Sequence, residues 1–299
     1  MSSIRIATFN VLFARGGDGP GSWSERVPLV ARAITRARPD VIGCQEVFPS
    51  MLDGLRLALC DLTLVPGATS GPGRWFDLSD AGEVVMRAIR SGGLPPLSEA
   101  ARLASERRDG EHLPIAYRSD RLRVVESGAF WISATPDRRG STMRFASTPF
   151  MVHWARFERV DSARPLIVFN GHLGHAPWRY GTTARVVHQQ IAQATGVNGA
   201  SAPIDHALIG DFNTWPGSPL IRALTSDARL VDAAAMTPER AGPAETFHWG
   251  TGSRRFSARL DYVLSSRDLR PTRAEVIDEH EGRLHASDHR PLVVEFDAG

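Results

Sequence analysis

Five hydrophobic segments of this 299-residue chain end in side chains of the kinds that bind metal ions or transfer protons, and a sixth set of such side chains precedes the last predicted strand. In chain order, the five segments run into Asn10, Glu46, His172, Asp211 with Asn213, and Asp261, and the sixth set is Asp288 with His289. Burying an unpaired carboxylate costs several kcal/mol, so charged residues are normally excluded from strand ends that enter a core. A single charged residue at a strand end would say little about the fold. Six of them indicate a shared polar pocket at one edge of the sheets, and this limits the folds available to the chain.

Between these segments, short apolar runs alternate with helical stretches. Strands are predicted at 4–9, 40–45, 62–65, 114–117, 122–132, 151–158, 165–172, 207–209, 259–264, 272–276 and 291–296, and helices at 24–37, 51–60 and 182–194. Some strands alternate with helices and others follow one another as in hairpins, which favours mixed sheets covered by helices. None of the loop segments is long or polar enough to be a domain linker.

The segment 67–110 interrupts this alternation. Its edges are rich in Gly and Pro, and between them the sequence predicts two short helices at 79–90 and 97–108. We interpret this segment as a lid-like helical subregion inserted into the scaffold. A surface excursion with no part in catalysis explains the same pattern equally well, and both interpretations stay open at this point.

The composition excludes several classes of protein. With 42% hydrophobic and 23% charged residues, the chain is typical of globular proteins and unlike disordered ones. No segment approaches the roughly 18 to 20 apolar residues of a membrane span, so no integral membrane association is expected. No secretory signal precedes the first predicted strand, which favours a cytoplasmic location. The formal net charge of +2 is too small to indicate a nucleic-acid partner by itself.

All 35 basic residues are Arg, which codon bias in a GC-rich genome would explain. The consequence for chemistry is the same whatever the cause: Lys nucleophiles are excluded, and phosphate must be held by guanidinium groups or by a metal ion. The two cysteines, Cys44 and Cys60, provide neither a metal cluster nor a disulfide framework. Cys44 lies in an apolar run and is expected to be buried.

The side chains at the six strand ends indicate the kind of chemistry. Carboxylate, amide and imidazole groups without a thiolate favour a hard cation, Mg²⁺ or Mn²⁺, over structural zinc. The sequence contains no Gly-x-Ser-x-Gly turn that would present a serine nucleophile. Together these features point to metal-assisted attack of water on a phosphoester.

The same residues resemble the signature of the endonuclease/exonuclease/phosphatase superfamily of deoxyribonuclease I-like metal-dependent phosphoesterases. The matching motifs are, in order, Asn10, Gln45-Glu46, His172-Leu173, Gly210-Asp-Phe-Asn213, Leu260-Asp-Tyr262 and Ser287-Asp-His289. Each motif is weak alone, but the ordered set is specific and extends over nearly the whole chain. The segment 128–133 is similar to a strand of small bacterial members.

The resemblance implies a fold as well as an activity. The expected fold is an α/β (α+β) four-layered sandwich, in which two mixed β-sheets pack face to face with helices outside. Residues 1–299 would then form a single domain, with the subregion at about 67–110 inserted into it. The site is expected at the open edge where the two sheets meet.

The resemblance also implies roles for the metal-binding and water-activating residues. Glu46 would be the principal ligand of Mg²⁺ (or Mn²⁺), with Asn10 and Asp288 beside it or bridged to it by water. Asp211 would orient or deprotonate the attacking water, and Asn213 would help to hold the transferring phosphoryl group. Simpler alternatives are that Asn10 caps a turn and that Glu46 is a surface carboxylate.

Two histidines are implied as phosphate contacts. His289 would bind a phosphate oxygen or transfer a proton, with Asp261 fixing its tautomer and raising its pKa. His172 would be a second donor to the transition state. Two alternatives stay open: His172 could be an ordinary core histidine, and Asp261 could pair with Arg259 instead of His289.

The residues predicted to bind substrate are Trp178, Arg179, Arg185 and His248, of which His248 is equally consistent with a structural role. Arg185 matches a family Arg near the His172 loop. The chain departs from many relatives at Gly174, where they carry an acidic residue. This departure alters the floor of the pocket and leaves the metal-binding set intact.

From the sequence, we expect a phosphoesterase that hydrolyses a phosphomonoester or phosphodiester, with a soluble phosphorylated metabolite as substrate and the insert closing over it. A nuclease acting on DNA or RNA is the alternative, although its candidate Arg and Trp residues are scattered. Further alternatives are a phospholipid- or sphingomyelin-type phosphodiesterase, a repurposed metal site acting on a diphosphate, and a non-catalytic binding module. The sequence does not determine the oligomeric state.

Overall fold

The computed structural model describes residues 3–14, 21–67, 69–71, 110–144, 146, 148–174, 177–196, 204–226, 230–250, 252 and 257–297. The helices predicted at 79–90 and 97–108 lie outside the described residues. In the described ranges the strands are β1 (Ser3–Asn10), β2 (Val41–Gln45), β3 (Thr63–Leu64), β4 (Ile115–Tyr117), β5 (Leu122–Trp131), β6 (Met151–Arg159), β7 (Ser162–His172), β8 (Asp205–Asp211), β9 (Leu230–Asp232), β10 (Glu239–Ala241), β11 (Asp261–Ser266), β12 (Arg270–Val276), β13 (His280–Glu281), β14 (Leu284–His285) and β15 (Leu292–Asp297). The α-helices are α1 (Trp23–Ala37), α2 (Leu52–Ala58), α3 (Tyr180–Thr195), α4 (Pro219–Thr225) and α5 (Ala233–Met236), and 3₁₀ turns cover Pro49–Met51 and Pro177–Arg179.

These strands form two large mixed sheets and one small hairpin. The first sheet has the order β10-β12-β15-β1-β2-β4-β3, and the second has the order β5-β6-β7-β8-β11-β9. The neighbours β1 and β2 run parallel in the first sheet, as do β7 and β8 in the second, whereas β15 and β11 join them in antiparallel orientation. The prediction of mixed sheets is confirmed.

The alternation of side chains along the strands creates the layers. Ile6 on β1 and Val168 on β7 point into the core between the two sheets. Their neighbours Ala7 and Phe169 face outwards, where α1 and α2 cover the first sheet and α3 and α4 cover the second. Because successive residues of a strand alternate between its two faces, each central strand contributes to two cores. The result is the expected four-layered sandwich of helix, sheet, sheet and helix.

The long predicted elements are present, whereas several short elements of the structure were not predicted. Helix α1 begins after Ser22, whose hydroxyl accepts a hydrogen bond from the backbone of Glu25, and not at Ser24 as the sequence suggested. The sequence does not predict α4, α5, β9, β10, β13 or β14, because these elements of two to seven residues show too little periodicity. In the described part of the chain, no helix is long and apolar enough to cross a membrane.

The register of the strands brings the polar strand ends together. His172 lies beside Asp211 across β7 and β8, and Asp211 lies beside Asp261 across β8 and β11. Gly210 makes the first of these approaches possible, since it has a φ of 143° and a Cβ there would lie 1.7 Å from the carbonyl oxygen of Gly171. Only glycine tolerates both conditions. The site therefore lies at the edge where β7 and β8 end and where the antiparallel β11 begins, at Asp261.

Candidate active site

Asp211, at the end of β8, lies at the centre of the site and is buried. Its Oδ1 accepts a hydrogen bond from the backbone N–H of Asn213 at 2.8 Å, and its Oδ2 accepts one from Asn10 Nδ2 at 3.0 Å. The Nε2 atoms of His172 and His289 lie 3.7 and 3.5 Å from the same Oδ2. Side chains from both sheets thus converge on one carboxylate.

Glu46 follows β2 on the side of the site formed by the first sheet. Its Oε1 accepts a hydrogen bond from Asn10 Nδ2 at 2.9 Å, and its Oε2 accepts one from the backbone of Phe13 at 3.0 Å. Burial raises the pKa of Glu46, His172 lowers it, and the nearby carboxylate of Asp288 raises it further. This carboxylate is held in an environment that favours a compensating cation.

The orientation of Asn10 is fixed by its backbone neighbour. Its Oδ1 accepts a hydrogen bond from the N–H of Leu12 at 3.0 Å, so its amino group faces the carboxylates of Glu46 and Asp211. The opposite orientation would place the amide oxygen against two carboxylates. In this arrangement Asn10 orients two acidic groups by donating to both of them.

His289 forms a buried pair with Asp261. The two side chains meet at 2.8 Å between His289 Nδ1 and Asp261 Oδ2, and because a carboxylate only accepts, the Nδ1 proton points to Asp261. Burial lowers the pKa of His289, but the carboxylates of Asp261 and Asp211 outweigh it and raise the pKa well above its usual value. Arg259 pairs instead with Asp232. Asp261 therefore contacts His289 and not Arg259.

His172 forms a second pair, with Glu111. His172 Nδ1 lies 2.9 Å from Glu111 Oε1, and Asn213 Nδ2 lies 2.9 Å from His172 Nε2 while also donating to the carbonyl of Leu173. Burial lowers the pKa of His172, but Glu111, Asp211 and then Glu46 raise it to about 10. The carboxylates thus favour the protonated ring, whereas the Asn213 contact at Nε2 suits the neutral ring.

Glu111 is a site residue that the sequence analysis missed. Besides contacting His172, its Oε1 accepts a hydrogen bond from the backbone N–H of Glu46 at 2.6 Å, and its own N–H donates to Ser70 Oγ at 2.9 Å. It links the turn at Glu46 to the second sheet. No local signal marks it, because it lies in a loop before β4 and ends no predicted strand.

Arg26 on α1 is a second residue that the sequence analysis missed. Its guanidinium group is buried and donates to the carbonyl of Leu12 at 2.7 Å and to that of Ala286 at 3.0 Å. The first carbonyl follows Asn10, and the second precedes the segment that carries Asp288. Arg26 therefore connects two loops of the site through hydrogen bonds to their backbones. Its position in a helix does not predict these contacts.

The predicted substrate-binding residues are not gathered at the centre of the site. Trp178 is 80% exposed and Arg179 half-buried, and both lie in the turn before α3. Arg185 is exposed on α3 between buried neighbours. His248 is buried, and its Nδ1 accepts a hydrogen bond from the backbone of Gly252 at 3.0 Å. His248 thus makes a structural contact, and its role in substrate binding stays a prediction.

The unusual glycine at position 174 has a packing reason. A Cβ at Gly174 would lie 2.3 Å from the ring of Phe150. That ring occupies the place where a side chain at 174 would begin, so an acidic residue cannot stand there without moving Phe150. The departure from the family pattern is thus coupled to Phe150.

Comparison with known proteins identifies the family. The model of the Endonuclease/Exonuclease/phosphatase family matches residues 7–289, which include every residue of the site described above. The chain belongs to this family. No curated protein matches the chain by sequence.

Solved structures share the fold of this family member at low sequence identity. An endonuclease/exonuclease/phosphatase family protein from Bacteroides thetaiotaomicron is 24% identical with a TM-score of 0.78, covering 99% of this chain and 95% of that one. A mannosyl-6-phosphatase from the same species is 23% identical with a TM-score of 0.77, covering 98% and 99%. TDP2 from D. rerio, complexed with single-strand DNA product, is 15% identical with a TM-score of 0.67, covering 99% and 100%.

The site of this endonuclease/exonuclease/phosphatase family protein has the chemistry of a metal site. Two overlapping groups of described residues, Glu46 with His172 and Asp211, and Asp211 with Asp261 and His289, place their donor atoms within 4.8 Å of one another. With Glu111 and Asp288 added, five carboxylates surround two imidazoles. Among these described side chains, negative charge is in excess even with both rings protonated. An oxygen-rich donor set of this kind fits a divalent hard cation.

Proposed function

We propose that the chain is a divalent-metal-dependent phosphoesterase that hydrolyses a phosphoric ester of a soluble phosphorylated metabolite. The observation that carries the proposal is the convergence of Asn10, His172 and His289 on Asp211, in a pocket where, among the residues that the structure describes, carboxylates outnumber cationic groups. A purely structural cluster would match each buried carboxylate with a cation. The arrangement is suited to a reaction in which a metal ion and a phosphate complete the charge balance.

The residues proposed to hold the metal ion are Glu46 and Asp288, with Asn10 orienting Glu46 through its amide. Burial and the neighbouring Asp288 both raise the pKa of Glu46, and a divalent cation would relieve this repulsion. Mg²⁺ or Mn²⁺ fits a site built from oxygen donors. When bound, such an ion polarises the phosphoryl oxygens and lowers the pKa of a bound water.

Asp211 is proposed to orient the attacking water and to receive its proton. Asn10 and the backbone of Asn213 each hold one of its oxygens, which fixes the direction in which the carboxylate can accept. Positioning of the nucleophile in this way contributes a large share of rate enhancement in phosphoryl transfer. The two imidazoles on either side of Asp211 then face the phosphate that the water attacks.

His172 and His289 are proposed to donate to the phosphate oxygens. Each ring has its Nδ1 fixed by a carboxylate, Glu111 or Asp261, so that Nε2 faces the pocket. A phosphate oxygen that replaced the amino group of Asn213 at Nε2 would favour the protonated ring of His172. The protonated rings would stabilise the charge that develops in the transition state, in a chain that has no Lys.

A small substrate with few charges suits the site better than a polyanion. The five carboxylates repel additional negative groups, and the chain carries a formal net charge of only +2. The fold is shared with a mannosyl-6-phosphatase and also with a protein complexed with single-strand DNA product, so the fold does not choose between these substrates. The carboxylate excess is the reason for placing a phosphorylated metabolite first and a nuclease second.

The test is a panel assay of the full chain with Mg²⁺, with Mn²⁺ and with EDTA. The substrates are bis-p-nitrophenyl phosphate, p-nitrophenyl phosphate, sugar phosphates, nucleotides, RNA and plasmid DNA. Metal-dependent turnover should be lost in Asp211→Asn and retained in Asp53→Asn, whose side chain is 93% exposed on α2. Turnover that survives EDTA, or that survives in Asp211→Asn, would contradict the proposed mechanism.

The panel also separates the two substrate classes. Preference for sugar phosphates or nucleotides would support the metabolite phosphoesterase. Preference for plasmid DNA or RNA, with a steep decrease as salt is added, would favour the nuclease. If no substrate is turned over, calorimetric titration with Mg²⁺ and Mn²⁺ shows whether the metal site exists, and absence of binding would end the enzyme proposal.

A further inference from the structure

Three tryptophans in the described part of the chain are strongly exposed, and all three follow segments that carry site residues. Trp178 is 80% exposed, Trp249 61% and Trp215 60%. Trp178 precedes α3 in the connection that leaves His172, and Trp215 comes two residues after Asn213. Trp249 follows His248, whose N–H donates to the carbonyl of Asp288. Single exposed apolar side chains are normal, so the one that is also connected to the site by contacts is the candidate for substrate binding.

Trp249 differs from the other two in its backbone. Its φ is 56°, in the left-handed region that favours glycine and that bulky side chains rarely adopt. A strained residue is normally kept either because its side chain is buried or because its position has a function. Burial does not explain Trp249, since more than half of its surface is exposed.

Ring contacts connect Trp249 to the site. Its indole packs against Phe247 with ring centroids 5.0 Å apart, and Phe247 packs against the ring of His289 at 4.8 Å. Phe247 also pairs with His289 through a β-bridge. On the other side, a Cβ at Gly250 would lie 3.8 Å from Cβ of Asp288. The indole is therefore held one ring away from the histidine that faces the phosphate.

We propose that Trp249 is a specificity-determining residue on which a ring of the substrate's leaving group packs, with the phosphate at His289. This inference rests on the proposed phosphoesterase function and names its substrate class: the phosphate ester of an uncharged compound that contains a ring. A nucleobase and a sugar ring share the chemistry that an indole recognises, an apolar face of matching width. The surrounding carboxylates disfavour further anionic groups on such a substrate.

The variant Trp249→Gly tests the proposal without endangering the fold. Glycine adopts a φ of 56° more readily than tryptophan, so the thermal unfolding temperature should be unchanged or higher. Trp249→Phe keeps an aromatic face and is the conservative variant. Trp178→Ala serves as the comparison at another exposed indole.

The assay compares three substrates with Mg²⁺: a nucleoside 5′-monophosphate, a hexose 6-phosphate, and glycerol 3-phosphate, which has no ring. For at least one ring-containing substrate, Trp249→Gly should lower kcat/KM by about 10-fold or more, chiefly through KM, because stacking on an aromatic side chain contributes that much. Hydrolysis of glycerol 3-phosphate should change less than about twofold. Trp249→Phe should restore most of the loss, and Trp178→Ala should cause a smaller one.

Each outcome decides the matter. A loss confined to the nucleotide identifies a nucleobase as the ring, and a loss confined to the hexose identifies a sugar. An equal loss for glycerol 3-phosphate, or no loss for either ring-containing substrate, would overturn the proposal. If the wild-type chain hydrolyses none of the three, the proposed function fails for this class. Calorimetric titration of wild type and Trp249→Gly with the nucleotide and with the hexose phosphate then tests the role of Trp249 separately. Equal affinities of the two proteins, or no binding to wild type, would overturn the proposal for Trp249.

Discussion

At the end of the sandwich where β2 and β8 begin, buried carboxylates are matched by guanidinium groups. Asp205 lies 3.0 Å from Arg159 and 2.6 Å from Arg164, measured between charged atoms. Asp40 lies 2.8 Å from Arg121, and it also accepts a hydrogen bond from the backbone of Arg5. At the opposite end, the carboxylates of the site face one another, amide groups and two imidazoles.

This difference separates a structural role from a functional one. Matched pairs satisfy their own charge and need no ligand, whereas an excess of carboxylates over the imidazoles that face them raises the free energy of the folded chain unless a cation binds. Both ends are built from the same strands, since β2 and β8 connect Asp40 to Glu46 and Asp205 to Asp211. The end of the sandwich with the excess of carboxylates is the one to which we assign the proposed active site.

The largest effect is expected for Asp211→Asn. Loss of the group that we propose to orient and deprotonate water should lower kcat/KM by about 10³-fold or more. The free energy of unfolding should be unchanged or higher, because one of five crowded carboxylates has lost its charge. Steady-state kinetics and urea unfolding measure the two quantities. The contrast between the two ends would be wrong if Asp211→Asn kept its activity. It would also be wrong if the variant lost as much stability as is expected for removing one partner of a buried ion pair.

The opposite result is expected for Asp205→Asn. Removing this charge leaves the buried Arg159 without its partner carboxylate, which should lower the free energy of unfolding by about 3–5 kcal/mol. Activity of the folded fraction should remain within about twofold. Asp268→Asn is the matched control: its carboxylate lies 3.3 Å from the same Arg164 but is 57% exposed, so its loss should cost about 1 kcal/mol or less. Equal decreases in the free energy of unfolding of both variants would show that the buried pair stabilises the fold no more than the exposed one.

Glu111→Gln should give a smaller effect with a distinct pH dependence. Glutamine keeps an oxygen for the N–H of Glu46 but removes the charge that, with Asp211, raises the pKa of His172 to about 10. The pKa of His172 should fall. Activity that requires the protonated ring should then be lost at lower pH than in wild type, with a decrease in kcat of about 10- to 100-fold at neutral pH. If the alkaline limb of the pH–rate profile is the same in Glu111→Gln and wild type, the proposed role of the protonated His172 ring is wrong.

The smallest effect is expected from metal binding itself. At a Mg²⁺ concentration ten times its Kd, binding should stabilise the folded chain by about 1.4 kcal/mol, which corresponds to a rise in Tm of about 2 °C for a chain of this length. Asp205→Asn should retain this rise, and Glu46→Gln should abolish it. Differential scanning calorimetry with Mg²⁺ and with EDTA measures both. A rise that persists in Glu46→Gln would place the metal ion elsewhere.

Much of the fold could be predicted because its core elements carry periodic patterns. The alternation around Ile6 and Val168 marks strands that are buried on both faces, and the apolar face of α1 marks its contact with the first sheet. The missed elements, such as α4 and β9, are held by contacts with the rest of the chain and carry little pattern of their own. Tertiary packing decides segments of this length.

The sequence by itself determined which residue types gather at one edge, because Asn10 and Asp211 each end a strand and Asp261 begins one that runs antiparallel to β8. Only the tertiary structure decided how these residues are oriented. The contact of His172 with Glu111 joins residues 61 positions apart, and that of Arg26 with Ala286 joins residues 260 apart. Such contacts depend on how two sheets and a helix pack, and packing over these separations leaves no trace in any local run of residues.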